Sequence, residues 1–223
     1  MIALLRYQTA LLLRSQRWLP PFILYAAFLA IGVQSGRPVL DSLGYSAAAV
    51  LPVAAWLVRI CATNEPPAAR SCVGAAVGPG RAHLACLAVA LGAAVLIGVA
   101  ATLVVTVISD PTSTDHQKRV PVLAAAGAGL LAALVCALLG TAVGALTTWP
   151  LLRSPGRAVP AMLLAALLAL VVTGSPAHAA LTDLITGSRA GTVPAPLLPL
   201  AAAVLLTAAA IAAACVFTSR RSA

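Results

Sequence analysis

From Leu84 to Ile108 the chain runs 25 residues without a charged side chain. At about 1.5 Å per residue a helix of that length reaches roughly 37 Å, more than the roughly 30 Å of hydrocarbon in a bilayer. Further apolar runs cover Leu19–Gln34, Leu43–Val58, Val122–Leu146, Ala158–Thr173 and Pro196–Phe217, and none of the six holds Asp, Glu, Lys, Arg or His. Hydrophobic residues make up 61% of the chain and charged residues 9%. A soluble domain carries about a quarter charged residues, and a core of this size cannot bury so much apolar surface from water. The expected fold is therefore all-α: a polytopic membrane protein with six transmembrane helices in a single transmembrane domain, residues 1–223.

The connections carry the remaining detail. In residues 1–17, Arg6, Arg14 and Arg17 fall within roughly an 80° arc of a helix, with Leu5 and Leu12 on the other side. This predicts an interfacial helix lying flat before the first span. A cleaved signal peptide is the rival reading, but no A-x-A site follows the apolar run. Ser175-Pro176 reads as a helix start, Leu181, Leu184 and Ile185 as its apolar stripe and Gly187 as its stop. A short amphipathic helix is expected there, between spans 5 and 6. Leu151–Arg157, with Pro155-Gly156 between two arginines, reads as a tight turn.

The longest break in the apolar pattern is Arg59–Arg81. Asn64-Glu65 has the chemistry of a cap, Pro66 and Pro67 suit a first turn, and Gly78-Pro79 suits a stop. The segment predicts a short helix across the ends of two spans, presented to a soluble partner. An ordinary alanine-rich loop is the alternative reading.

Basic residues set the orientation. Ten of the 14 fall on one side of a six-span layout: Arg6, Arg14, Arg17, Arg59, Arg70, Arg81, Arg153, Arg157, Arg220 and Arg221. Arg37, Lys118, Arg119 and Arg189 fall on the other. The positive-inside rule then expects both termini and the 59–81 loop in the cytoplasm of a cell-membrane protein. Because the charges sit in short clusters between apolar runs, the net charge of +9 speaks for membrane orientation and against nucleic-acid binding.

Catalytic signatures are missing. There is no GxxxxGK[ST] phosphate loop, no HExxH and no serine-nucleophile arrangement, so an enzyme is not expected. Cys61, Cys72, Cys86, Cys136 and Cys215 form no CxxC pair, which speaks against a zinc site or disulfide framework. His83, His116 and His178 are scattered and read as surface or interfacial residues. Gly140 and Gly144 have the G-x-x-x-G spacing that lets two helices approach closely. Spans without ionisable residues also lack the usual means of ion coupling, so any transport work must be driven from outside the membrane.

With these features in view, the chain resembles the permease subunits of type-2 ATP-binding-cassette exporters. The likeness lies in the N-terminal interfacial helix, six spans, a coupling helix between spans 2 and 3, and a short outer helix between spans 5 and 6. Its closest local part is Glu65, a helix, and the turn Gly78-Pro79-Gly80-Arg81. Pro66-Pro67 stands where the family has helix-forming residues, and the outer loops are short. The resemblance implies a dimer with a second permease copy or a related permease, seated on a cytoplasmic ATPase subunit that binds ATP and magnesium; this chain itself carries no cofactor. Contact with the ATPase is expected through Glu65, Ala68, Ala69, Arg70, Ser71, Cys72, Val73, Gly74 and Val77, with Ala68–Val77 as the coupling helix. The implied cargo is amphipathic or hydrophobic. A non-transporting membrane anchor or assembly protein, and a secondary carrier, are the rival classes.

Overall fold

A computed structural model describes residues 1–148 and 155–222. They form nine helices and no named strand. These are α1 (Ile2–Ser15), α2 (Leu19–Gly32), α3 (Val39–Asn64), α4 (Pro67–Val77), α5 (Pro79–Ile108), α6 (Val122–Thr147), α7 (Pro155–Val171), α8 (Pro176–Ala190) and α9 (Leu197–Ser222). The chain is an all-α, multi-pass membrane protein.

Helices α3, α5, α6 and α9 are long and apolar enough to cross a bilayer. A fifth crossing is available if α7 and α8, bent by 44° at their junction, count as one broken span. Six full-length spans are not what the helices provide. The first, expected over Leu19–Gln34, is the 14-residue α2, about 21 Å long at 1.5 Å per residue and short of the hydrocarbon thickness. Val33 turns extended and ends it. Conversely, α3 outruns the expected Leu43–Val58 at both ends. Pro38 precedes its first residue, Asp41 lies in its first turn, and polar Thr63 and Asn64 extend the last. A carboxylate suits the positive end of a helix, and polar residues suit the interface, so hydropathy alone cut this helix short. The turn expected at Leu151–Arg157 lies partly outside the described residues, and its described part, from Pro155, begins α7.

The centre of the bundle is the parallel pair α3 and α6. Helix association in lipid relies on close packing, because lipid tails already satisfy apolar surfaces. Gly140 and Gly144 do this work. A Cβ at Gly140 would collide with the Leu51 carbonyl and with Ala54; one at Gly144 would lie 2.6 Å from Val58 Cβ and 2.9 Å from the Ala55 carbonyl. Gly129 meets Leu43 in the same way. The partners advance together, 43 with 129 and 58 with 144, so the two helices run in the same direction. Helix α5 closes on this pair where Gly98 faces Ala133 and Val50. The outward faces of α2, α5, α7 and α9 display Ile23, Leu103, Leu167 and Leu205, all exposed; in a bilayer they meet lipid.

Polar contacts gather at the two ends of α3, which is about 39 Å long. At its start, Val39 N–H donates to the Asp110 carbonyl and Asp110 N–H to that of Arg37. Thr114 Oγ1 reaches Asp41 Oδ2 at 3.2 Å and Ser188 Oγ at 3.0 Å. The 109–119 loop and the end of α8 are thus tied over the start of α3. At the other end, Asn64 Nδ2 donates to the Leu11 carbonyl at 3.0 Å and Cys215 Sγ to that of Gly80 at 3.7 Å. Helix α1, α4 and the last turns of α9 therefore share one end of the bundle, here called the α4 end.

Helix α8 is helical from its expected start, where Ser175 Oγ accepts from Ala177 N–H. It continues past Gly187 to a left-handed Gly191. Its buried face is Ala177, Ala180, Leu184, Gly187 and Ser188, directed mainly onto α3 and then onto α6 and α9. Leu181 is half-buried, but Ile185 is 43% exposed and points away. At Gly187, Thr192 and Pro194 fold back against the helix where a Cβ would stand.

Candidate functional site

The break between α3 and α5 builds the site. Helix α4 is a separate helix of 11 residues. Gly78 ends it with φ +88, where a side chain would be strained, and its N–H returns to the Gly74 carbonyl. Pro79 then opens α5, so the stop read from Gly78-Pro79 is where the chain turns, and the third span begins five residues before Leu84. The start of α4 differs from the reading of the sequence. Pro66 is the N-cap and no side chain caps the helix. Asn64 is the last residue of α3 and reaches back to α1. Glu65 is extended, 7% exposed, and accepts a 3.1 Å hydrogen bond from Tyr7 of α1.

The residues expected to contact an ATPase divide between two faces of α4. Ala68, Ser71 and Cys72 are exposed and share a face with exposed Ala75 and Ala76, at helical spacing. Ala69, Arg70, Val73, Gly74 and Val77 are half-buried. Arg70 Nη2 donates to the Ala62 carbonyl at 2.6 Å and to that of Glu65 at 3.2 Å. Its guanidinium thus clamps the end of α3, and the helix presents small side chains outward.

Behind α4 lies a cavity of about 760 Å³ between α1, α3, α4, α5 and α9. Its polar wall is Gln8, Glu65, Arg70, Ser71, His83 and Thr218; Ala62, Ala82 and Cys86 are among its apolar residues. Burial, and then the Glu65 carboxylate, push the Tyr7 phenol above its ordinary value. His83 is 8% exposed with no hydrogen-bond partner at Nε2, so it is a buried cavity residue, where the sequence reads as a surface or interfacial histidine. His116 is exposed and His178 half-buried. Cys61 and Cys86, both buried, line the same cavity. Among the described residues no group of three or more His, Cys, Asp or Glu stands close enough to hold a metal ion.

Gln8 was legible in part: it falls in the interval between Leu4-Leu5 and Leu11-Leu12, on the apolar stripe of α1, where a lone amide is conspicuous. That Cys61 and Cys86 share one cavity wall left no trace in the spacing, because it depends on how two helices lie together. Compared with known protein families, with curated proteins and with solved structures, the chain matches none.

Proposed function

We propose that the chain is the membrane-spanning permease subunit of an ATP-driven exporter of amphipathic or hydrophobic cargo, coupled through α4 to a separate ATPase that holds ATP and magnesium. One observation carries the reading: a free-standing helix between two spans, at the end of the bundle shared by α1 and the end of α9, with Ala68, Cys72 and Ala76 exposed and off the cavity wall. Small exposed side chains let a partner's groove approach the helix backbone. Helix α4 leads straight into α5 through Gly78, so a push on it is transmitted to a span. The Asn64–Leu11 and Cys215–Gly80 contacts bring α1 and the last turns of α9 to the α4 end, and the bias of basic residues assigns that end to the cytoplasm in this reading. A pair of such permeases, identical or related, completes the pathway.

The test is co-purification. A phosphate-loop ATPase should be retained with the chain in mild detergent, and Ala76→Trp should release it and abolish export. Ala76 is exposed and lies off the cavity wall, so the change leaves the bundle intact. If Ala76→Trp leaves both ATPase retention and export unchanged, α4 is not the coupling element. If no ATPase is retained at all, the anchor reading takes precedence.

A further inference from the structure

We propose that the cavity behind α4 binds one zwitterionic amphiphile, a molecule whose acidic and ammonium groups sit together at one end of an apolar body. Its size is the first ground. About 760 Å³ lies within the roughly 300–1,000 Å³ of pockets that enclose small organic ligands.

The polar groups on its wall are the second. Gln8 is 4% exposed and lines the cavity with its amide. His83 stands on the same wall with Nε2 unpartnered. A buried imidazole nitrogen left unmatched is unfavourable, and a ligand that pairs with it, with the Gln8 amide beside it as donor and acceptor, removes that penalty. Charge narrows the ligand further. The wall carries one carboxylate, Glu65, and one guanidinium, Arg70. A carboxylate has about four acceptor positions, and the Tyr7 phenol takes one at Oε1. An anionic head alone would meet Glu65, and a cationic head alone would meet Arg70. A head with an acid for Arg70 and an ammonium for Glu65 satisfies both.

Location is the third ground. The cavity roof is α1, whose opposite face carries exposed Arg6 and Arg14. Such a helix lies at headgroup depth, so the polar wall stands where an amphiphile's head travels. The apolar body would run along Ala62, Ala82 and Cys86. The site involves no ATPase, so its failure would leave the exporter reading untouched, and the reverse holds as well.

The test uses the full chain in an uncharged detergent and native mass spectrometry, with lysophosphatidylethanolamine as the zwitterionic probe. Lysophosphatidylglycerol is the anionic comparison and phosphoethanolamine the head without a chain. One equivalent of the zwitterionic lipid should bind, about tenfold tighter than the anionic one, as expected for one charge-assisted contact. Glu65→Gln keeps an acceptor for Tyr7 and should erase that preference. Ala82→Trp should fill the cavity and remove the bound equivalent, and Gln8→Leu, close in size, should weaken binding without altering charge. Binding only of the chain-bearing probe supports the site; binding of phosphoethanolamine as tight as that of the lipid would show that the apolar body contributes nothing and would overturn the amphiphile. Equal binding of the two lipids, unmoved by Glu65→Gln and by Gln8→Leu, overturns it.

Discussion

Tyr7 donates a 3.1 Å hydrogen bond to Glu65 across 58 residues of chain, joining the first helix to the hinge between α3 and α4. Loss of the contact in Tyr7→Phe should destabilise the protein by about 0.5–1.5 kcal/mol, measured by unfolding in detergent. The phenol is raised above its ordinary value of 10.0, by burial first and then by Glu65. The fold therefore prefers the neutral hydroxyl. Its contribution is complete below 10.0 and is lost as pH climbs through the raised folded value. The gap between wild type and Tyr7→Phe should accordingly be full at about pH 8 and shrink above about pH 10. A gap that grew with pH would mean that the hydrogen bond is not made.

The small-residue seam predicts a sharp contrast among glycines. Gly144→Ala would place a Cβ 2.6 Å from that of Val58, and Gly140→Ala would press on the Leu51 carbonyl. Each should force α3 and α6 apart, for about 1–3 kcal/mol of stability. Gly92 has nothing within 4 Å of such a Cβ, so Gly92→Ala should leave the unfolding midpoint unchanged or slightly raised. Similar midpoints for all three variants would show that α3 and α6 do not pack through these residues.

Orientation is open to cysteine labelling at two exposed positions. Cys72 is a natural reporter on the outer face of α4, and Asp115→Cys reports on the opposite end of the bundle. Ser188 and Arg70, buried and half-buried, would report poorly. With the other cysteines replaced, an impermeant maleimide should modify position 115 in intact cells and Cys72 only after permeabilisation. Labelling of Cys72 in intact cells would place α4 outside and end the coupling proposal.

Helix α8 offers a test of which face is inward. Leu184 is fully buried, near Gly44 of α3, and Leu184→Ala should cost about 2–5 kcal/mol. Ile185 is 43% exposed, and Ile185→Ala should cost much less. Equal losses in thermal unfolding would mean that the stripe includes both residues.

Several features of the protein are determined by the sequence locally. Helices α5, α6 and α9 follow from uninterrupted apolar runs, since in lipid a backbone must satisfy its own hydrogen bonds. The end of α4 follows from Gly78-Pro79, because glycine alone accepts φ +88 without strain and proline suits the first turn of the next helix. The start of α8 follows from Ser175, whose hydroxyl reaches an N–H two residues on. Each depends on neighbours within about one turn of chain. Tertiary structure decided the rest. Glu65 could have capped α4, but a phenol from another helix holds its carboxylate. Arg70 could have faced outward, but carbonyls left open at the end of α3 draw its guanidinium in. His83 has the position of an interfacial residue in the sequence, and it is buried because α4 folds back beside the start of α5. A helix pattern says that a side chain lies on some face of its helix. Only the helices packed around it decide whether that face meets lipid, water or another chain segment.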